Sequence, residues 1–349
     1  MRHAAGQPGQ PVPAAVSAGR PVHSMPPECV ELRNGVRMPI LGLGTSHSGG
    51  YSHSTVVYAL QECGYRLIDT AKRYGCEEFL REAIRESGVA REDLFLITKL
   101  WPRDYGSLTT RPAFEGSLQR LGVDYLDMFM MHWPECPSSC PDRQKVLDTT
   151  WRQLELLYDE GLCRAIGVSN YEVPDLEPLL ESCSVVPHAN QVECHPYHFP
   201  RDLLAFCDQH GIQFQGYSPL GKGKLIRDPE VLRVARSCGR TPAQVLVRWS
   251  IQNNVVAIPK STKKYRVKEN SQVFDFKLSA EDMESLNRLH RGLKYVQRCG
   301  IQQKIDSDLP DGYKLQLPNA HDQRISCSYL GHVQMSPSSE RYSIVEPVA

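Results

Sequence analysis

The chain lacks an excess of either charge: 40 lysines and arginines face 40 aspartates and glutamates in 349 residues. That balance argues against a surface dedicated to nucleic acid, which needs a basic footprint. It also lacks any apolar run near the roughly 20 residues that a membrane span requires. Residues 1–27 contain no acidic side chain and no apolar core like that of a secretory leader. They are rich in Pro, Gly, Ala and Gln, the composition of a disordered extension. Nor is there a compact cysteine framework. The twelve cysteines are scattered, as at Cys63, Cys163 and Cys207, which fits reduced thiols in the cytosol better than a disulfide scaffold. Two nucleotide signatures are missing as well. Gly42-Leu43-Gly44-Thr45-Ser46-His47 ends in His where G-x-G-x-x-G needs a third Gly, which argues against a doubly wound dinucleotide fold. The run Gly221-Lys222-Gly223-Lys224 lacks Walker spacing and the Ser or Thr that follows it.

What is present is a rhythm. Asn34-Gly35 sits between Val30-Glu31-Leu32 and Val36-Arg37-Met38, a strong hairpin signal. Short apolar runs then recur at 40–43, 67–68, 94–98, 126–131, 165–168, 190–192, 213–216 and 255–258. Helical patterns lie between them. Leu147, Trp151, Leu154 and Tyr158 share one helix face, as do Phe114, Leu118 and Leu121. Further patterns follow at Leu203, Leu204 and Cys207, and at Val245, Val247 and Trp249. Ser279 reads as the N-cap of one more helix carrying Met283, Leu286 and Leu289. Short continuous strands alternating with helices over about 250 residues predict an α/β fold, a (β/α)8 TIM barrel with an N-terminal β-hairpin and an extra C-terminal helix. The expected organisation is a disordered extension over 1–27, a barrel over 28–301 and a polar, disordered or loosely docked tail over 302–349.

In such a barrel the chemistry gathers at the C-terminal ends of the strands. Those ends carry Asp69, Lys99, His132, Ser169 with Asn170, Gln191, Tyr217 with Ser218, and Lys260 with Ser261. Each has a plainer reading. Asp69 and Lys99 alone would be a structural ion pair, His132 a satisfied core histidine and Tyr217 a packing aromatic. Together, with Tyr74 five residues beyond Asp69, they read as a proton-transfer site. His132, Cys136 and Cys140 have the spacing of a partial metal set, but no fourth ligand is apparent, so no metal is expected.

At these residues the chain resembles the aldo-keto reductase superfamily. Gly64-Tyr-Arg-Leu-Ile-Asp69-Thr-Ala-Lys-Arg-Tyr74, Leu126-Asp-Met-Phe-Met-Met-His132-Trp-Pro134 and Ile258-Pro-Lys260-Ser261-Thr-Lys-Lys-Tyr-Arg266 are similar to its signatures. Gly167-Val-Ser169-Asn170, Asn190-Gln191-Val-Glu193-Cys-His195-Pro196 and Tyr217-Ser-Pro-Leu220-Gly221 match further blocks. The resemblance implies NADPH-dependent reduction of aldehydes and ketones, with Asp69, Tyr74, Lys99 and His132 catalytic. On this reading Lys99 lowers the Tyr74 pKa, Asp69 holds Lys99 charged, and His132 directs the carbonyl oxygen. It implies that Ser169, Asn170 and Gln191 bind the nicotinamide carboxamide and that Tyr217 stacks on the ring. Gly44, Thr45, Asp69, Ser218 and Leu220 join the cofactor site, Lys260, Ser261 and Arg266 clamp the 2′-phosphate, and Glu269 and Asn270 hold the adenosine. Ser46-His47 stands where many members have Trp, which leaves Trp101 and Trp133 as pocket walls. The expected protein is a cytosolic monomer acting on a small-molecule carbonyl substrate, with no nucleic-acid or membrane partner. The competing class is a cofactor-binding regulatory subunit.

Overall fold

The computed structural model of the protein describes residues 28–46 and 49–307. The extension 1–27 and positions 308–349 of the expected tail lie outside the described residues.

The hairpin comes first. Strand β1 (Cys29–Glu31) pairs antiparallel with β2 (Arg37–Pro39). Gly35 in the turn takes φ 82°, a left-handed conformation that glycine adopts without a Cβ clash. Met38 is fully buried and reaches the barrel interior, where its sulfur lies 3.1 Å from Gln215 Nε2.

Eight parallel strands follow: β3 (Gly42–Gly44), β4 (Leu67–Asp69), β5 (Phe95–Leu100), β6 (Met128–Met131), β7 (Ile166–Ser169), β8 (Ala189–Glu193), β9 (Gln213–Tyr217) and β10 (Val256–Ile258). Neighbours in the chain are neighbours in the sheet. The circle closes where Ala257 N donates to Ile40 O at 2.9 Å and Gly44 N donates to Pro259 O at 3.0 Å. The strands are apolar because both faces are covered, one by the barrel interior and one by helices. Every residue of β5 and β8 is buried. At Gly167 an added Cβ would come within 2.8 Å of Ala189 O, so the close approach of β7 and β8 needs a glycine.

The helices are α1 (His53–Glu62), α2 (Glu77–Ser87), α3 (Thr110–Leu121), α4 (Arg143–Asp159), α5 (Val173–Ser182), α6 (Arg201–Gln209), α7 (Pro229–Cys238), α8 (Pro242–Gln252), α9 (Lys264–Ser271), α10 (Ala280–Asn287) and α11 (Arg298–Asp306). In α4 the face read from the sequence packs inward: Leu147, Trp151 and Leu154 are buried and Tyr158 lies against the core. Ser279 Oγ accepts from Asp282 N at 3.0 Å, the N-cap expected of α10.

Residues 302–307 belong to the expected disordered or loosely docked tail, and α11 runs through the boundary at 301 to Asp306. Ile301 and Ile305 form a small cluster with Trp101 and Trp133. Arg298 pairs with Asp175 at 3.0 Å and with Glu135, and Arg103 Nε donates to Ile305 O at 2.6 Å. Two isoleucines among polar neighbours make a weak periodic signal. The helix is held by partners far away in sequence.

Candidate active site

The polar residues that end the strands gather at one rim around a cavity of about 1080 Å³. At its base lies an ion pair. Asp69 ends β4 and Lys99 sits in the neighbouring β5; they are 4% and 1% exposed. Lys99 Nζ donates to Asp69 Oδ2 at 2.6 Å and to Thr70 O at 3.0 Å. Gln191 Nε2 donates to the same carboxylate oxygen at 2.8 Å and to Gln215 Oε1 at 2.9 Å. Thr45 lies outside the cavity lining and instead binds the Asp69 carbonyl through N (3.0 Å) and Oγ1 (2.9 Å). A buried charge is tolerable only when paired and hydrogen-bonded, and this one is both.

Tyr74 stands above the pair, in a single 3-10 turn (Lys72–Tyr74) after β4. Lys99 Nζ lies 5.4 Å from its ring centre. The His132 ring meets Tyr74 edge-on at 5.7 Å and Trp101 edge-on at 5.4 Å. Asn170 Nδ2 donates to the His132 carbonyl at 2.9 Å. The three side chains thus share one corner of the cavity, although their strands are well separated in sequence.

Burial governs the electrostatics of this corner. Burial pushes the Tyr74 hydroxyl well above its ordinary range, and the Asp69 charge adds to the rise. Burial lowers the Lys99 ammonium itself, against the opposing pull of Asp69.

The facing wall comes from β7, β8 and β9. Ser169 Oγ donates to Gln191 O at 2.8 Å and accepts from Asn170 Nδ2 at 3.1 Å. Tyr217 OH donates to Asn170 Oδ1 at 2.9 Å. Asn170, Ser218 and Lys222 adopt left-handed backbone at φ 64°, 54° and 53°. For residues with a Cβ this conformation is uncommon, and it concentrates at functional sites. All three line the cavity.

From this wall the cavity continues as a groove past Ser218, Leu220, Gly44, Lys260, Ser261, Arg266, Glu269 and Asn270. Lys260 is partly buried, which lowers its ammonium pKa. Arg266 is exposed in the first turn of α9. Asn270 Oδ1 is buried with no hydrogen-bond partner among the described residues. Trp101 and Trp133 wall the other end, backed by α11. Of the residues assigned in the sequence to catalysis, cofactor or substrate, all but Thr45 and Lys99 line this cavity. Sequence reasoning passed over Arg73, Lys222, Val296, Gln297, Ile301 and Lys304, which also line it. Arg73 was in plain view beside Tyr74; the others stand on segments whose approach to the cavity has no local signal.

His195 takes a structural position. Its Nε2 pairs with Glu193 Oε1 at 2.9 Å, and Glu193 accepts from the backbone N–H groups of Tyr295 and Val296 at 2.9 and 2.8 Å. Cys136 and Cys140 contact one another, away from the corner that His132 shares with Tyr74 and Trp101.

A model of the aldo/keto reductase family matches residues 40–291. The chain belongs to this family. It is 50% identical over 285 residues to an uncharacterized oxidoreductase of Caenorhabditis elegans, covering 81% of this chain and 88% of that one. It is 44% identical over 266 residues to glyoxal reductase of Bacillus subtilis, covering 76% and 93%. A solved structure of a Bombyx mori aldo-keto reductase in complex with NADP superposes with a TM-score of 0.74 at 30% identity, covering 83% of this chain and 99% of that one. As an aldo/keto reductase the protein is an oxidoreductase of a family that reduces carbonyl groups with a nicotinamide cofactor.

Proposed function

We propose that the protein reduces aldehydes and ketones to alcohols with NADPH, and that Tyr74 donates the proton. One observation carries this reading: Tyr74 and His132 meet above the buried Asp69–Lys99 pair, in a cavity of about 1080 Å³ whose lining runs on to Arg266 and Asn270. The groove fits the cofactor chemically. The buried, unpartnered Asn270 Oδ1 suits the adenine end. Lys260, Ser261 and Arg266 at the start of α9 suit a 2′-phosphate, and Glu269 the adenosine ribose. Ser218, Leu220 and Gly44 with neighbouring amides suit the pyrophosphate. Tyr217 offers a face to the nicotinamide ring. With both Gln191 amide hydrogens committed to Asp69 and Gln215, its oxygen, together with Ser169 and Asn170, serves the carboxamide.

Bound NADPH supplies the hydride. The protein positions the carbonyl and delivers the proton. A raised pKa keeps the Tyr74 proton in place until negative charge develops on the carbonyl oxygen. Lys99 then stabilises the phenolate, and Asp69 keeps Lys99 oriented. His132 supports the same oxygen, and Trp101 and Trp133 shape the space beside it. Asp69 and Thr45 hold the rim between β3 and β4 in register. The reading includes a cytosolic monomer, consistent with cysteines such as Cys163, Cys194 and Cys207 packed singly in the core.

The test is loss of NADPH absorbance with a panel of reactive aldehydes. Turnover is expected. Tight NADPH binding without turnover of any aldehyde would replace this reading with a cofactor-binding regulatory role.

A further inference from the structure

The loop between β6 and α4 carries Cys136 and Cys140, two free thiols that the proposed reaction does not use. A turn brings them together. Cys140 N donates to Pro137 O at 2.8 Å, and Cys136 stands one residue before that turn. Such turns hold their ends within about 7 Å, and a disulfide needs Cα atoms roughly 4.4–6.8 Å apart. The two side chains contact one another. Cys136 is buried at 6% exposure, and Cys140 is half-buried. Burial pushes the Cys136 thiol up to about 12, and the Cys140 thiol beside it adds to the rise. Cys136 therefore stays protonated near neutral pH and is not the sulfur that meets an oxidant first.

The same loop is the seat of α11. Glu135 pairs with Arg298, and Gln302 Nε2 donates to Cys136 O at 3.0 Å. Ser138, inside the turn, donates to Asp306 from N at 2.7 Å and from Oγ at 2.6 Å. Positions 298, 302 and 306 are four residues apart, so they form one stripe along the helix. Ile301 and Ile305 meet Trp101 and Trp133, and both tryptophans line the large cavity. The placement of this loop thus bears on one wall of the cavity through α11.

We propose that Cys136 and Cys140 form a reversible disulfide with a hydroperoxide as oxidant, and that the bond locks this loop against α11. Cys140, the more accessible sulfur, attacks the peroxide. Its S–O bond forms as the O–O bond breaks, and the departing oxygen leaves as water with the thiol proton. The Cys136 sulfur then attacks the resulting sulfenic acid. An S–S bond forms, the S–O bond breaks, and the Cys136 proton leaves with the hydroxide as a second water. The two thiols lose two electrons, and hydrogen peroxide is reduced to two waters. A small thiol restores both cysteines by exchange. The thiols already touch while α11 is docked, so the bond fixes the docked arrangement.

The test treats the reduced full-length protein with a slight excess of hydrogen peroxide, alkylates the remaining thiols in denaturant and digests with trypsin. Both cysteines fall in one peptide, 121–143. That peptide is expected to escape alkylation and to be lighter by two hydrogens, and dithiothreitol should reverse both changes. In the linked protein, hydrogen exchange at the α11 amides should slow several-fold. Cys140→Ser, treated in the same way, should show no slowing. Alkylation of both thiols as in untreated protein, oxidation of Cys140 to a sulfinic acid without a link, or a link from either thiol to another cysteine overturns the disulfide. A disulfide that leaves α11 exchange unchanged or faster overturns the lock. These readouts do not use turnover, so they are independent of the reductase reading.

Discussion

The barrel buries a carboxylate at each end, and the two sites differ in what surrounds them. At the end opposite the cavity, Asp127 precedes β6 and is fully buried. Its Oδ2 accepts from Arg91 Nη1 at 2.6 Å and Leu96 N at 2.9 Å, and its Oδ1 accepts from Arg164 Nη1 at 3.0 Å. It lines neither the large cavity nor the smaller one beside it. Asp69 is paired just as closely, but its partners sit beneath Tyr74, and beyond Tyr74 there is open space. An ion pair alone therefore says little about function. The phenol, the imidazole and the cavity above the pair make the difference, and they occur at the strand ends where barrels carry their chemistry.

The largest effect should come from removing the phenol's proton. Tyr74→Phe is expected to lower kcat on the order of 10²-fold or more, with NADPH affinity and melting temperature nearly unchanged. Near-normal turnover would erase the functional difference between the two ends. Arg266→Ala should come next, weakening NADPH by roughly 1.5–3 kcal/mol, the scale of a hydrogen bond to a charged group. NADH should be little affected, so titrating both cofactors by fluorescence quenching decides it. Equal weakening of both would mean that Arg266 supports α9 and not a phosphate.

At the closed end the opposite pattern is expected. Asp127→Ala leaves the buried Leu96 N–H without its acceptor and should cost about 1–3 kcal/mol of stability. Turnover per folded molecule should stay near that of the unmodified protein. A loss of kcat without a loss of stability would mean that Asp127 acts on the site after all.

The smallest effect concerns pH. Burial alone would raise the Glu193 carboxyl, but the hydrogen bonds from His195 and the Tyr295 and Val296 amides hold it below its ordinary value. A carboxylate depressed in the folded state contributes stability that is fully present above the unfolded value of about 4.3 and is lost as pH falls through the lower folded value. Hydrogen exchange at Tyr295 and Val296 should therefore accelerate below that range in the native protein. The acceleration should be absent in Glu193→Gln.

Much of this was legible in the chain. The eight apolar runs became β3 to β10, and the residues closing them gathered at one rim, because parallel strands wrapped into a barrel bring all their C-terminal ends together. The Asn34-Gly35 turn and the Ser279 cap were equally readable, since turns and caps depend on residues a few positions apart. The approach of α11 to Trp101 and Trp133 was not, because its two isoleucines are meaningful only beside tryptophans that the barrel places there.

The sequence by itself determined the alternation of strands and helices, and therefore which residues stand at strand ends. Those outcomes follow from apolar periodicity and short-range hydrogen bonds. Only the tertiary structure decided that Gln191 reaches Asp69 across 122 residues, that burial drives the Tyr74 pKa up, and that α11 brings Ile301 and Ile305 against Trp101 and Trp133. Each of these depends on distance and on exclusion of water, and neither exists until the barrel has closed.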